Sequence, residues 1–233
     1  MKRIVYLFVI FASLTCFSQN KKERALISEF VNAAFLKHNN QRTTLIKWED
    51  RDTLKYFIKG ELKFISKKRL AEFISNVEEL TGMQFVETKT QKEGDIKIYF
   101  GAIEDYIKDF NIPIQKFFAS PNFDHFSYRN NDNNGRLSNA SFCIVPEKTN
   151  SYDRGTLNFK RLFLRSLGMM GYLNSRRSIF YANANPPSPS FSRKDKRLVK
   201  LLYSLEIKAG MNEFDLNKVL FEMDLKTIIS TKY

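Results

Sequence analysis

The chain has little cysteine, histidine or tryptophan: its 233 residues include two cysteines, two histidines and one tryptophan. Cysteine and histidine are among the residues that most often hold metals or carry out catalysis. Cys16 lies in the apolar N-terminal segment, so removal of that segment would leave only Cys143. A single cysteine forms no intramolecular disulfide and no cysteine-based metal cluster. Two histidines leave few candidates for a serine-type triad, and the chain has neither a Gly-x-Ser-x-Gly segment nor a glycine-rich phosphate loop.

Basic residues outnumber acidic ones, 38 to 25, which gives a formal net charge of +13. The lysines and arginines are scattered and alternate with acids, and no long basic arm exists. This pattern favours a solvated basic surface, although such a surface can also attract anionic glycans, lipids or nucleic acid.

The N-terminal segment has the layout of a secretory signal peptide. Lys2 and Arg3 precede an apolar run from Ile4 to Leu14, and a short polar exit follows. The run is too short to span a bilayer, and we expect no transmembrane span. Cleavage after Ser18 would export the protein to the periplasm or beyond the cell, which disfavours nucleic acid as a partner. The alternative is a lipid-modified Cys16, for which the preceding residues fit poorly.

The rest of the chain predicts an α+β domain. Residues 19–42 are predicted to form an N-terminal helix, and residues 43–233 the main domain with a helical tail. Apolar alternation and helical periodicity predict the elements of that domain. The predicted strands are Leu45–Trp48, Leu54–Lys59, Asp95–Phe100 and Ala140–Val145; the predicted helices are Lys67–Leu80, Ala102–Phe110, a central helix around Phe159–Met170, a short helix near Asp195–Tyr203 and a tail helix, Glu213–Thr231.

One segment, Ser120–Gly135, is dense in asparagine, aspartate and glycine and is predicted to be a loop. It contains Asp124 next to His125, a pair that suits metal binding or acid–base chemistry. No partner lies at ligand spacing, so a solvated loop histidine is the simpler interpretation. The only other histidine, His38, lies at the end of the first predicted helix.

The central helix has an apolar face formed by Phe159, Leu162, Phe163, Ser166, Leu167 and Met170. Arg161 and Arg165 are four residues apart and share the other side of this helix. Gly168 suits a helix end, and Thr156 or Asn158 is a candidate N-cap. Periodicity alone predicts an ordinary amphipathic helix with a solvated basic face.

The same stretch also has the layout of a zinc-peptidase active-site helix. His-Glu-x-x-His supplies two zinc ligands and a general base, and related forms add a glycine and a third ligand. When Gly168 is placed on that glycine, Arg161 and Arg165 fall at the histidines and Gly171 at the third ligand. Leu162 falls at the glutamate. Arginine has no lone pair to donate, so this helix is not expected to bind zinc.

The residues that follow carry a family resemblance. Leu-Gly-Met, Asn-Ser, Ser-Ile-Phe-Tyr, Asp-x-x-Leu-Val-Lys-Leu-Leu-Tyr and Ile-Lys-Ala-Gly-Met occur in order between Phe159 and Met211. This run resembles the bacterial family called domain of unknown function 2927, a zincin-like group of secreted proteins. The resemblance implies a zincin-like domain with a small mixed sheet, a long helix, a central degenerate active-site helix and C-terminal helices. The family typically has acidic residues and a glutamine where this chain has Arg161, Leu162 and Arg165.

These observations predict a catalytically inactive zincin-like binding domain, a pseudo-metallopeptidase without metal or cofactor. Arg161 and Arg165 form its candidate anion or carboxylate site, because guanidinium groups fit carboxylates. The partner would be a protein, peptide or anionic ligand of the cell envelope. Two alternatives remain: a divergent metal-dependent peptidase or other hydrolase drawing on Asp124, His125 and Glu147, or a basic envelope protein that binds anionic glycan or lipid.

Overall fold

A five-stranded mixed sheet forms the centre of the protein in a computed structural model that describes residues 21–38, 41–113, 123–182 and 190–231. Its strands, in the spatial order β4-β3-β5-β7-β6, are β3 (Thr53–Lys59), β4 (Gln84–Glu87), β5 (Ile96–Phe100), β6 (His125–Asn131) and β7 (Leu137–Ile144). Neighbouring strands are parallel except for β6, which runs antiparallel to β7 at one edge. The expected α+β class with a mixed sheet is confirmed.

Seven α-helices accompany the sheet within the described ranges. They are α1 (Lys21–Ala34), α2 (Lys67–Thr81), α3 (Ile103–Asp109), α4 (Tyr152–Arg165), α5 (Arg193–Leu202), α6 (Glu213–Glu222) and α7 (Leu225–Ser230). A two-residue hairpin, β1 (Lys37–His38) with β2 (Gln41–Arg42), follows α1. None of the helices in these ranges is long and apolar enough to cross a bilayer. The predicted signal peptide, with Cys16 and the cleavage site after Ser18, lies outside the described residues.

The two faces of the sheet bury two hydrophobic clusters, because side chains alternate along each strand. The larger cluster lies under α4, where the Phe159 ring packs 5.8 Å from that of Phe142, and it includes Phe30 of α1. The smaller cluster lies under α3, where Tyr106 contacts Phe110. The single free cysteine of the described residues, Cys143, lies on β7 and is buried in this second cluster.

The long helix α2 forms where periodicity predicts it. Ser66 is its N-cap and accepts a hydrogen bond from the Arg69 backbone N–H at 3.3 Å. Gly82 ends the helix in the left-handed region with φ of 74°. These two residues satisfy backbone groups that a helix end leaves unpaired, which is why its limits are readable from the sequence.

One strand prediction is wrong, and strand β4 was missed. Leu45–Trp48 is not a strand: only Lys47 forms a bridge, to Arg136. Leu45 and Trp48 of this segment are buried, and the Trp48 indole Nε1–H donates to the Ser166 carbonyl oxygen at 2.8 Å. Burial against helix ends, rather than strand pairing, accounts for the apolar pattern. Strand β4 was not predicted, because three of its four side chains are exposed and its pattern is weak.

The predicted loop Ser120–Gly135 is wrong over residues 125–131, which form edge strand β6. Tyr128 pairs with Ser141 and Arg129 with Ala140 in a regular antiparallel register. Polar residues are common on edge strands, where they discourage pairing with other chains. The turn itself is shorter, and Asp132 organises it by accepting from the Asn134 backbone N–H at 2.9 Å.

Three helix limits also differ from the prediction. The N-terminal helix, predicted over residues 19–42, ends at Ala34, and the hairpin β1–β2 follows it. Helix α4 begins at Tyr152 with Ser151 as its N-cap, so the predicted caps Thr156 and Asn158 lie inside the helix. Both side chains are buried and hydrogen-bonded. The Thr156 hydroxyl donates to the Phe64 carbonyl oxygen, and Asn158 Nδ2 donates to Asp124. The tail is two helices, α6 and α7, because Asp224 starts a new helix as its N-cap.

The C-terminal Leu-Leu-Tyr and Ile-Lys-Ala-Gly-Met segments hold the irregular stretch around Lys47 in place. The buried Lys47 Nζ donates to the carbonyl oxygens of Leu202, at 3.0 Å, and Ile207, at 2.9 Å. The backbone N–H groups of Leu45 and Gly210 donate to the carbonyl oxygens of Met211 and Leu45, each at 2.8 Å. This family-like signature therefore has a packing role in this chain.

Candidate functional site

A polar stripe on α4 faces the edge strand β6. It consists of Arg154, Asn158, Arg161 and Arg165, spaced four, three and four residues apart, so all four lie on one side of the helix. The opposite side carries the apolar residues of the larger cluster. We call the region between this stripe and β6 the α4–β6 groove.

Asp124, the residue before β6, forms one end of the groove. Its Oδ1 lies 2.7 Å from His125 Nδ1, and its Oδ2 accepts from Arg154 Nε at 2.7 Å and Asn158 Nδ2 at 3.1 Å. Burial raises the pKa of the Asp124 carboxyl, but hydrogen bonds from His125 and Arg154 outweigh it and hold that pKa well below its usual range. Asp124 is therefore an ionised, fully engaged carboxylate.

Arg161 lies in the middle of the groove and is buried. Its Nε donates to the Ile179 carbonyl oxygen at 2.7 Å, and one terminal nitrogen donates to that of Tyr181 at 2.9 Å. Burial and the charge of Arg165 lower the pKa of Arg161 to about 10, so it is charged at neutral pH. The interpretation of a solvated basic face is wrong for this residue, whose guanidinium fastens α4 to the turn after it.

That turn is fixed from its other side by Asp195, a fully buried carboxylate at the start of α5. Ser178 and Ser192 hydroxyls and the Ile179 backbone N–H donate to it. Burial raises the pKa of Asp195 even with these donors in place. The Ser-Ile-Phe-Tyr segment of the family-like run is thus held by a carboxylate and a guanidinium.

Arg165 and Arg129 form the other end of the groove. Arg165 lies over the Tyr172 ring, with its guanidinium carbon 4.5 Å from the ring centroid, and its buried Nε has no hydrogen-bond partner among the described residues. Arg129, on β6, donates weakly to Ser127 Oγ at 3.4 Å. Burial and the charge of Arg165 lower the pKa of Arg129 to about 10. Across the ranges that the structure describes, no ion pair joins either guanidinium to a carboxylate.

The positions that align with the zinc-peptidase motif do not gather metal ligands. Leu162 is buried in the core, and the Gly171 backbone N–H donates to the Ala33 carbonyl oxygen at 2.8 Å. Within the described part of the chain, no group of three or more histidine, cysteine, aspartate or glutamate side chains is arranged to hold a metal ion.

Of the three residues of the hydrolase alternative, the structure brings Asp124 and His125 into contact. His125 is half-buried on a strand rather than solvated on a loop, and it contacts Asp124. Glu147 lies in a short 3₁₀ helix, and no hydrogen bond joins it to either residue in the portion described.

Sequence reasoning singled out Arg161 and Arg165 and missed Arg129, Arg154 and Asn158. The last two could have been found, because they continue the helical spacing of the arginines once the helix is known to begin at Tyr152. Arg129 could not, because its strand was predicted to be a loop.

No protein-family model matches the chain, and a comparison with curated proteins finds no match. Among the residues that the structure describes, two guanidinium groups have no carboxylate partner and lie beside a third that is anchored, which creates a positive site. Guanidinium forks bind carboxylates and similar anions with two parallel hydrogen bonds.

Proposed function

We propose that the protein is an exported, catalytically inactive zincin-like domain that binds an anionic ligand in the α4–β6 groove. The α+β architecture, with a long helix before the central helix and further helices after it, supports a zincin-like fold. Arg161, Leu162 and Arg165 at the motif positions support the loss of zinc chemistry, because none of them can act as a zinc ligand or general base.

The observation that carries the proposal is that Arg165, whose charge lowers the pKa of Arg129, stacks on Tyr172 with a buried Nε that has no hydrogen-bond partner among the described residues. Two like charges in a partly desolvated site cost free energy, which an anion placed against both would recover. The stacking of Arg165 on Tyr172 orients its guanidinium. Arg161, already bound to two carbonyl oxygens, holds the helix beside them and adds positive charge.

A carboxylate is the ligand group that this arrangement fits best. Its two oxygens match a guanidinium fork, whereas a monatomic anion uses only part of it. For an exported protein, the sources of such a group are the peptides, proteins and acidic polymers of the cell envelope. Nucleic acid is the least suitable partner for a protein outside the cytoplasm.

Isothermal titration calorimetry with succinate, at constant ionic strength, tests the proposal. We expect binding that weakens about tenfold or more in Arg165→Met and in Arg129→Met, since a charge-assisted hydrogen bond contributes about 1.5 to 3 kcal/mol. Lys226→Met is the matched control, because it removes one positive charge from an exposed position on α7 and should leave the Kd unchanged.

Three results would contradict the proposal. Succinate that binds all variants equally would place the anion elsewhere. Salt-sensitive binding to anionic vesicles that is equal in all variants, without succinate binding, would favour a diffuse basic surface. Stoichiometric zinc with peptide hydrolysis that is lost in His125→Ala would establish the hydrolase alternative.

A further inference from the structure

A second positive site, separate from the α4–β6 groove, lies where α2, α4 and α5 meet. It is a cavity of about 370 Å³ whose lining includes Arg69, Lys160 and Lys196, one from each of the three helices. Lys160 lies outside the polar stripe of α4, so the two sites use different sides of that helix. The cavity is within the size range of pockets for small organic ligands.

The charge of this cavity is predominantly positive. Three basic side chains line it against one carboxylate, Glu72. Lys160 is half-buried, and burial together with the charge of Arg69 lowers its pKa. An anion in the cavity would therefore be attracted by the Lys160 ammonium group, which is already partly withdrawn from water, where charge interactions are stronger.

The cavity also has an aromatic wall. The rings of Phe73 and Phe191 lie 5.6 Å apart at 59° and both line the space. Lys160 Nζ lies 5.9 Å from the Phe73 centroid, and Lys196 Nζ lies 6.0 Å from that of Phe191. Ammonium groups are thus set at the faces of two rings. A flat apolar ligand body can pack against the same rings.

We infer that this cavity binds a small aromatic carboxylate. The ring of the ligand would pack against Phe73 and Phe191, and its carboxylate would contact Lys160 and Arg69. Charge alone would admit any anion, and the aromatic wall alone would admit any apolar molecule. The combination selects a molecule that carries both parts a short distance apart, and this inference does not depend on the proposed function of the groove.

Phenylacetate is the probe, and its binding is measured from backbone amide chemical-shift changes in ¹⁵N-labelled protein. We expect phenylacetate to cause saturable shifts in the backbone amides of Phe73 and Phe191. Acetate and 2-phenylethanol each present half of the ligand, and both should bind at least tenfold more weakly. Lys160→Met and Arg69→Met should each weaken phenylacetate about tenfold, as expected for loss of one charge-assisted contact. Arg69 is exposed, so its variant keeps the test valid if Lys160→Met does not fold.

Arg165→Met separates this site from the groove. It should leave phenylacetate binding at the cavity unchanged while weakening succinate binding at the groove about tenfold or more. Three results at the cavity would each overturn the inference. The first is equal affinity for phenylacetate and acetate, and the second is unchanged phenylacetate affinity in both Lys160→Met and Arg69→Met. The third is tighter binding of inorganic phosphate than of phenylacetate.

Discussion

Arg161 donates a hydrogen bond from its Nε to the Ile179 carbonyl oxygen, 2.7 Å away. Arg161, which falls at a histidine of the zinc-peptidase motif in the sequence alignment, thereby connects the central helix to the turn that follows it. The connection uses two of the nitrogen donors of the guanidinium, since the Tyr181 carbonyl oxygen accepts a second hydrogen bond. Arg161 is consequently a structural residue of the groove, and Arg165 is the residue of the pair that is available to a ligand.

Substitution of these two arginines should have opposite effects on stability. Arg161→Met leaves the buried Ile179 carbonyl oxygen and the half-buried Tyr181 carbonyl oxygen without this donor and should lower the free energy of unfolding by about 3 kcal/mol. Arg161→Lys should recover only part of this, because a single ammonium cannot reproduce the fork. Arg165→Met should be neutral or slightly stabilising, because it removes a charge next to Arg129. Urea denaturation measures all three, and an Arg165→Met variant as unstable as Arg161→Met would contradict this assignment.

Lys47 should make stability depend on pH. Burial, as the largest cause, lowers its pKa from 10.5 to about 8. Between these values the unfolded chain binds more protons than the folded one, so stability attributable to Lys47 rises with pH in this window. From pH 7 to pH 9 the gain should be about 1 kcal/mol relative to Lys47→Met.

The comparison uses urea denaturation of the wild-type protein, Lys47→Met and the exposed-lysine control Lys226→Met at each pH. Lys47→Met should also be less stable at every pH, because the Leu202 and Ile207 carbonyl oxygens lose their donor. A wild-type pH profile that parallels that of Lys47→Met would contradict the lowered pKa.

Asp195→Asn should destabilise the protein strongly despite its nearly unchanged volume. The amide would present N–H groups to the hydroxyl and backbone donors that now surround the carboxylate, and we expect a loss of about 3 kcal/mol. Asp215→Asn, an exposed aspartate in the first turn of α6, should cost less than about 1 kcal/mol. Equal melting temperatures for the two variants would show that the Asp195 network is not needed for the turn.

Gly168 should tolerate no side chain, because it approaches another backbone segment. It has φ of 106°, and an added Cβ would lie 2.0 Å from the Ile46 carbonyl oxygen. Gly82 has φ of 74° but open space around an added Cβ. Gly82→Ala should therefore cost only the conformational strain of about 1 kcal/mol, whereas Gly168→Ala should cost several times more. Thermal unfolding of both variants checks this, and similar losses would contradict the close approach of Ile46.

The sequence predicted the elements whose signals are local. Helix α2 has a regular apolar face and two capping residues, and β5 and β7 have apolar alternation, so all three were located within a few residues. The edge strand β6 was missed because its polarity reflects its position at the sheet edge, which only tertiary pairing with β7 determines. The same cause hid Arg129.

The site was predictable only as residue types. Spacing placed Arg161 and Arg165 on one side of a helix, but it could not show that one is buried against carbonyl oxygens and the other stacked on Tyr172. Those contacts come from residues 7 to 20 positions away, after the chain turns at Gly168. The pairing of Asp124 with Arg154 likewise depends on the packing of α4 beside β6.

Anomalous diffraction from crystals soaked in parallel with selenate and with zinc tests the central claim most directly, because each probe reports its own position. The account predicts a selenium peak within hydrogen-bond distance of the Arg129 and Arg165 guanidiniums and no zinc peak in the groove. A zinc peak coordinated by His125 and Asp124, with no selenium near the two arginines, would contradict it.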